Sequence, residues 1–246
     1  MSAPRTQSPT QPMDADALIF DVGGVFLIPH PEPLNQLLGQ HGIEFDAQMV
    51  EQAHYAGVVA LDEHTGPGDI PERYLVSYIE TLGVHTSHHA RVHELLLQLW
   101  STPGLNWWSH EIRGSREGLR ALYDAGHTVA IISNANGTVE QQLFDMGICQ
   151  VGEGAGTPVR AVIDSHVFGV AKPDPRIFHH VAELLGLPPE RCVYVGDTVR
   201  YDVLGARAAG FQPFHFDPFG VCRSADVHPH VRAISDLSVL LGSAVV

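Results

Sequence analysis

Basic residues, cysteines and long apolar runs are all scarce in this chain of 246 residues. Lys and Arg together number 14 against 28 Asp and Glu, a formal net charge of −14 with a pI near 5.5. Such a surface repels phosphate backbones and anionic headgroups, which argues against a nucleic-acid partner or a polybasic membrane contact. The three cysteines, Cys149, Cys192 and Cys222, show no metal-ligand spacing and no even number for a disulfide framework. That usage fits a reducing compartment. No apolar run approaches the roughly 18–20 residues that a transmembrane helix needs. The first dozen residues, with Pro4, Ser8, Pro9, Thr10 and Pro12, lack the apolar centre of a signal peptide. Residues 1–14 therefore read as a flexible tail, and the expected location is the cytoplasm.

What remains is ample for a core: 44% of the residues are hydrophobic, enough for one large domain or two unequal ones. Sixteen histidines are unusual, and their partial protonation trims the negative charge below neutral pH. The organising stretch is Ala17-Leu-Ile-Phe-Asp-Val-Gly-Gly-Val-Phe-Leu27. A short all-apolar run stopped by glycine predicts a strand buried on both faces, with Asp21 at its C-terminal end, where open α/β sheets place their ligands. Taken alone, Asp21 reads equally well as a turn residue before a Gly-Gly bend.

The chain then changes character twice. Ile28-Pro-His-Pro-Glu-Pro33 is too proline-rich for a continuing strand or helix and reads as a hinge leaving the sheet. Residues 31–107 carry helical signals near 34–38, 46–61, 71–82 and 92–100 with no buried strand between, which predicts a separate small helical domain. Thr102–Trp108 reads as the return hinge, with Trp107 and Trp108 taken as packing residues ahead of substrate platforms. From Glu111 onward helix and strand alternate. Thr128–Ile132, Cys192–Val195 and Phe211–Phe216 are predicted strands, and helices over 115–125, 138–146, 175–185 and 203–209 are each stopped by glycine. Val151–Val159 is glycine-rich and reads as a flexible insertion. The expected fold is α/β, a doubly wound, Rossmann-like parallel sheet over residues 15–30 and 108–246 with the helical domain inserted in it.

Three predicted strands end in polar residues: Asp21, Ser133-Asn134 and Gly196-Asp197, with Asp202 five residues further on. Carboxylates gathered at one sheet edge repel and raise a pKa unless a cation sits among them, and hard oxygen donors suit Mg²⁺. Gly23 and Gly24 let the backbone approach such a centre, so a main-chain carbonyl is a candidate ligand. Lys172, held by Pro173, is placed to supply a second positive charge for a phosphoryl group over Asp21, with Ser133 and backbone N–H groups on its remaining oxygens.

These motifs, in this order, resemble the haloacid dehalogenase superfamily of hydrolases, subfamily I with a helical C1 cap. Phe-Asp21-Val-Gly-Gly-Val is similar to the first motif, Ile-Ile-Ser133-Asn134 to the second, Ala-Lys172-Pro-Asp-Pro to the third, and Gly196-Asp197 through Asp202 to the fourth. The resemblance implies Asp21 as covalent nucleophile. It implies Mg²⁺ held by Asp21, the Gly23 carbonyl and Asp197, with Asp202 a further ligand or one acting through water. Ser133 and Lys172 would bind the phosphoryl group, Asn134 assisting, and the inserted domain would be a cap that selects substrate. The expected partner is a small phosphorylated metabolite, and the expected state a monomer or homodimer.

One position departs from the pattern. Phosphatases of this family usually carry a second Asp two residues after the nucleophile, a general acid–base worth about 10²–10⁴-fold in rate; here that residue is Gly23. Three readings follow. The first is a phosphatase for substrates with a good leaving group, such as an anomeric sugar phosphate, helped by water or by His54, Glu63 or His64. The second is a 2-haloacid dehalogenase-type hydrolase, which Gly23 and the Asp197/Asp202 pair disfavour. The third is a non-catalytic protein that binds a phospholigand or a partner.

Overall fold

The computed structural model describes residues 15–63, 70–101 and 107–241. The expected tail over 1–14, His64 with the rest of 64–69, and 102–106 of the expected return hinge lie outside the described residues. The chain divides into two units, one from Met1–Phe26, Arg113–Pro218 and Asp226–Val246, the other from Leu27–Ile112 and Phe219–Ala225.

Strand β1 (Ala17–Phe20) has all four side chains buried. At its end the Val22 carbonyl accepts from the Val25 and Phe26 N–H groups, turning the chain at Gly24, whose φ of 65° lies in the left-handed region.

The second unit begins with β2 (Leu27–Pro29), which pairs antiparallel with β3 (Trp108–Glu111). Between them run α1 (Pro31–Gly39), α2 (Val50–Asp62), α3 (Ile70–Thr81) and α4 (His89–Ser101). The prolines of the expected hinge start a helix instead. His30 caps α1, its Nδ1 accepting from the Glu32 N–H, and Pro31 occupies the first turn, where a missing N–H costs nothing. The unit's core draws on every helix, with Leu34, Leu38, Ala53, Tyr78, Leu82, Leu96 and Trp107 among its buried residues. Helices α2 and α3 touch at Gly57, where a Cβ would come within 2.5 Å of the Tyr74 ring. Trp108 stacks on Tyr74 and meets Trp100 and Trp107 edge-on, so both adjacent tryptophans are packing residues.

The first unit resumes with α5 (Ser115–Asp124), β4 (Thr128–Ser133) and α6 (Val139–Asp145). The segment expected to be a flexible insertion is ordered: β5 (Cys149–Val151) and β6 (Thr157–Val159) pair in parallel, and Gln150 clasps Gly156 through both its amide atoms. Glycines there admit that side chain rather than loosening the loop, since a Cβ at Gly154 or Gly156 would strike Gln150. Then come β7 (Val162–Asp164), α7 (Ser165–Phe168), α8 (Pro175–Leu185), β8 (Cys192–Gly196), α9 (Leu204–Ala208), β9 (Gln212–Phe216), β10 (His230–Val231) and α10 (Asp236–Leu241). Helix α8 starts as its sequence predicts, with the Asp174 side chain accepting from the Arg176 N–H and Pro175 in the first turn.

The main sheet has the order β10-β9-β8-β1-β4-β7, and every pairing is parallel. One face packs Ala17, Ile19, Ala130, Ile132 and Tyr194 against Ile177, Phe178 and Val181 of α8. The alternate residues Leu18, Phe20, Val129, Ile131, Val193 and Val195 are buried as well. Burial on both faces is the signature of a parallel sheet covered by helices on two sides. Chain order runs outward from β1 to β4 and β7, then returns to β8 on the other side of β1. The C-terminal ends of β1, β4 and β8 thus flank the point where the winding reverses, where such sheets bind ligands.

Candidate active site

Asp21 follows β1 directly; its N–H donates to the Val195 carbonyl, and its Oδ1 accepts from the Val22 N–H at 2.7 Å. Asp197 follows β8. Asp202 lies in a wide helical turn, Val199–Val203, that leads into α9. All three carboxylates are buried, and one oxygen from each lies within 4.8 Å of the others.

Lys172 joins two of them. It is the only lysine in the sequence, and its Nζ sits 2.8 Å from Asp21 Oδ2 and 2.6 Å from Asp202 Oδ1, at 1% side-chain exposure. It also donates to the Tyr194 hydroxyl at 2.9 Å. Asp202 is fully engaged: Oδ1 accepts from Lys172 and Tyr194, while Oδ2 accepts from the Thr198 N–H at 3.0 Å and Oγ1–H at 2.6 Å. Gly196 makes this possible, because a Cβ there would fall on the Asp202 side chain.

The electrostatics follow the crowding. Burial pushes the Asp21 carboxyl up and Lys172 pulls it back, while Asp202 and Asp197 push it up again, leaving it at about 7. For Asp202, burial is outweighed by the Lys172 charge and the Thr198 hydrogen bonds, and its pKa falls. Lys172 is disfavoured by burial yet held charged by Asp202 and Asp21, so its pKa rises.

The first, third and fourth motifs therefore meet in one centre, and the second reaches it through Asn134. Ser133 ends β4 and is buried there. Asn134 does something the sequence does not announce. Its Oδ1 accepts the Lys172 N–H at 2.8 Å and its Nδ2 donates to the Lys172 carbonyl at 3.0 Å, so the amide is spent on the lysine's backbone. Two residues of the site were not foreseen. Tyr194 interrupts an otherwise aliphatic strand with a hydroxyl that must find a partner when buried, and Thr198 stands four residues before Asp202. Those were the available signals.

Of the residues suggested to stand in for a general acid, His54 lies in the second unit. It is 1% exposed, its Nδ1 lies 2.9 Å from the Tyr74 hydroxyl, and Tyr55 and Trp108 meet its ring. Burial drives its pKa down to about 3, so it stays neutral and packs among aromatics. Glu63 is exposed and lies 3.7 Å from Arg223.

A parallel sheet with a lysine-bridged carboxylate centre at its switch point defines a class of α/β hydrolase sites. The match over residues 15–210 makes this chain a member of the haloacid dehalogenase-like hydrolase family. It is similar to the haloacid dehalogenase-like hydrolase domain-containing protein 3 of Bos taurus, 28% identical over 190 residues, 71% of this chain and 69% of that protein. It is also similar to the ribulose-1,5-bisphosphate 5-phosphatase of Halopiger xanaduensis, 27% identical over 220 residues, 83% of this chain and 85% of that one. Among solved structures, the HAD-hydrolase YfnB of Bacillus subtilis, bound to magnesium, superposes with a TM-score of 0.59 at 19% identity, covering 92% of this chain and 98% of that one. At that identity the likeness establishes the fold.

Proposed function

We propose that the protein is a phosphomonoester hydrolase that works through an aspartyl-phosphate on Asp21, with Mg²⁺ as cofactor and a small phosphorylated metabolite, such as a sugar phosphate, as substrate. The observation that carries this reading is the Lys172 bridge. A buried ammonium lies within 2.8 Å of a carboxylate whose pKa of about 7 lets it ionise near neutrality, beside two further carboxylates. A purely structural ion pair has no use for the third charge.

The donor set fits Mg²⁺: hard carboxylate oxygens within a few ångströms of one another, whose repulsion a divalent cation relieves. Asp21, Asp197 and the Gly23 carbonyl are the ligands we assign. Asp202, whose oxygens are taken by Lys172, Tyr194 and Thr198, would support the ion without being bound to it directly. When bound, the ion supplies Lewis-acid neutralisation of the phosphoryl charge.

The chain's own groups do the rest. An Asp21 oxygen bonds to phosphorus as the ester P–O bond breaks, and the leaving oxygen takes its proton from water. Water then attacks phosphorus, freeing the carboxylate and orthophosphate. Lys172 and Ser133 hold the non-bridging oxygens through transfer, and Asn134 fixes Lys172 by its backbone. With Gly23 where an acid usually stands, substrates that leave without a proton are favoured, and the second unit, as a cap, selects among them.

The reading is tested by phosphate release from a panel of phosphomonoesters, sugar-1-phosphates included, with Mg²⁺ and with EDTA, and with Asp21→Asn as the blank. Mg²⁺-dependent turnover absent from the variant is the expected result. A folded protein silent across the panel would favour the non-catalytic reading, a phospholigand-binding protein, for which Gly23 is the specific argument.

A further inference from the structure

Three of the sixteen histidines converge in a second cluster, separate from the three carboxylates. Strands β9 and β10 pair with His215 opposite His230, and His228 precedes β10 by two residues. The ring centroids lie 4.7, 4.9 and 5.1 Å apart, and one ring nitrogen from each lies within 4.8 Å of the others. His215 and His228 are buried, and His230 is partly so.

The partners on the far side of each ring set the tautomers. His215 Nε2 lies 2.7 Å from the Asp197 carbonyl, His230 Nδ1 lies 3.1 Å from Asp217 Oδ2, and His228 Nδ1 lies 3.4 Å from Asp226 Oδ2. Carbonyl and carboxylate oxygens only accept, so these nitrogens donate, and the other nitrogen of each neutral ring presents a lone pair. His215 Nδ1 then faces His228 Nε2 at 3.1 Å. An imidazole whose second nitrogen is held by a carboxylate or carbonyl is also how metal-bound histidines are oriented.

We propose that His215, His228 and His230 bind one Zn²⁺, at a site distinct from the Asp21–Asp197–Asp202 centre. A tetrahedral zinc with Zn–N bonds of about 2.0–2.1 Å holds its nitrogens about 3.3 Å apart, close to the 3.1 Å between His215 Nδ1 and His228 Nε2. Imidazole nitrogens select such borderline ions, whereas Mg²⁺ seeks oxygen. The ion ties the end of β9 to β10, and through the His215–Asp197 hydrogen bond it steadies the backbone that carries one of the carboxylates of the other centre.

The rival arrangement is a proton shared by His215 and His228, and metal analysis separates the two. The full chain, stripped with chelator and returned to excess Mg²⁺ to occupy the carboxylates, is dialysed against Zn²⁺ and its metal content measured. The expected result is one zinc per chain, a raised thermal midpoint, and visible d–d bands of tetrahedral strength when Co²⁺ replaces Zn²⁺. His228→Ala/His230→Ala should weaken binding more than tenfold and abolish the bands. The surface pair His85→Ala/His88→Ala should leave both unchanged. Should the core double variant fail to fold, the wild-type Co²⁺ spectrum and stoichiometry still decide. Absent or substoichiometric binding, octahedral bands, or full binding by a folded core variant would overturn the proposal.

Discussion

Asn134 grips the main chain of Lys172 from both sides, accepting its N–H and donating to its carbonyl across the gap between the β4 end and the segment before α8. The same lysine's Nζ is held by Asp21, Asp202 and Tyr194. Backbone and ammonium are thus fixed independently, and the two can be broken separately.

Loosening the backbone grip should cost rate and stability in comparable measure. Asn134→Ala removes two hydrogen bonds, each worth about 0.5–1.5 kcal/mol. A shift of the ammonium by a fraction of an ångström should lower kcat/KM by about ten- to a hundredfold. Steady-state kinetics beside urea unfolding makes the comparison. An unchanged kcat/KM would remove Asn134 from the positioning role.

Removing the ammonium should cost more stability. Lys172→Met leaves Asp21 and Asp202 buried without their counter-charge, a break that typically costs about 3–5 kcal/mol. Those carboxylates can escape the penalty by taking protons, so the destabilisation should be smaller at pH 5 than at pH 8. Urea unfolding of metal-free wild type and variant at the two pH values measures it, and a pH-independent difference would mean that the bridge carries little charge.

Much of this arrangement was legible in the sequence, and the illegible part has a common cause. Apolar runs of four or five residues that end in Asp or Ser reveal both the strand and which end bears chemistry, so β1, β4 and β8 and their terminal residues could be read directly. The edge strands β7 and β10, three and two residues long, carry too little periodicity to see. Tyr194 and Thr198 were missed because their roles exist only through Asp202 and Lys172, contacts set by packing rather than by spacing. The prolines near residue 31 and the glycines near 154 were read as breakers. The structure uses the first to open a helix and the second to admit a side chain.

Asp21 gives the metal-free protein a pH signature. Its folded pKa, about 7, lies above the unfolded value of 3.8. The stability it contributes is therefore fully present below pH 4 and is lost as the pH rises through 7, by about 4 kcal/mol in all. Subtracting the unfolding free energy of Asp21→Asn cancels the histidines common to both, and the difference should decline over that window. Mg²⁺, which favours the ionised carboxylate, should restore most of it at pH 8. A flat difference would contradict the raised pKa.

Gly196 is constrained by what it touches. A methyl group there would fall on the Asp202 side chain, so Gly196→Ala must push Asp202 and, with it, Lys172. Activity should fall by more than tenfold in a protein that still folds, a loss that Gly186→Ala, with nothing within 4 Å of its Cβ position, should not reproduce. Undiminished activity in a folded Gly196→Ala protein would show that catalysis does not depend on where the Asp202 carboxylate is held.

The most informative single change is Gly23→Asp, because it adds a group instead of removing one. If catalysis proceeds at Asp21 with water alone to protonate the leaving oxygen, a carboxyl two residues further along the same turn should speed ordinary phosphomonoesters by about 10²–10⁴-fold. It should do far less for anomeric phosphates, whose leaving groups need no proton. Single-turnover kinetics separates the phosphorylation of Asp21 from hydrolysis of the acyl phosphate, and both should quicken, since the same group acts first as acid and then as base. Gain for both substrate types alike would mean that the native enzyme is not specialised for good leaving groups. No gain for either would mean that another group already fills the role.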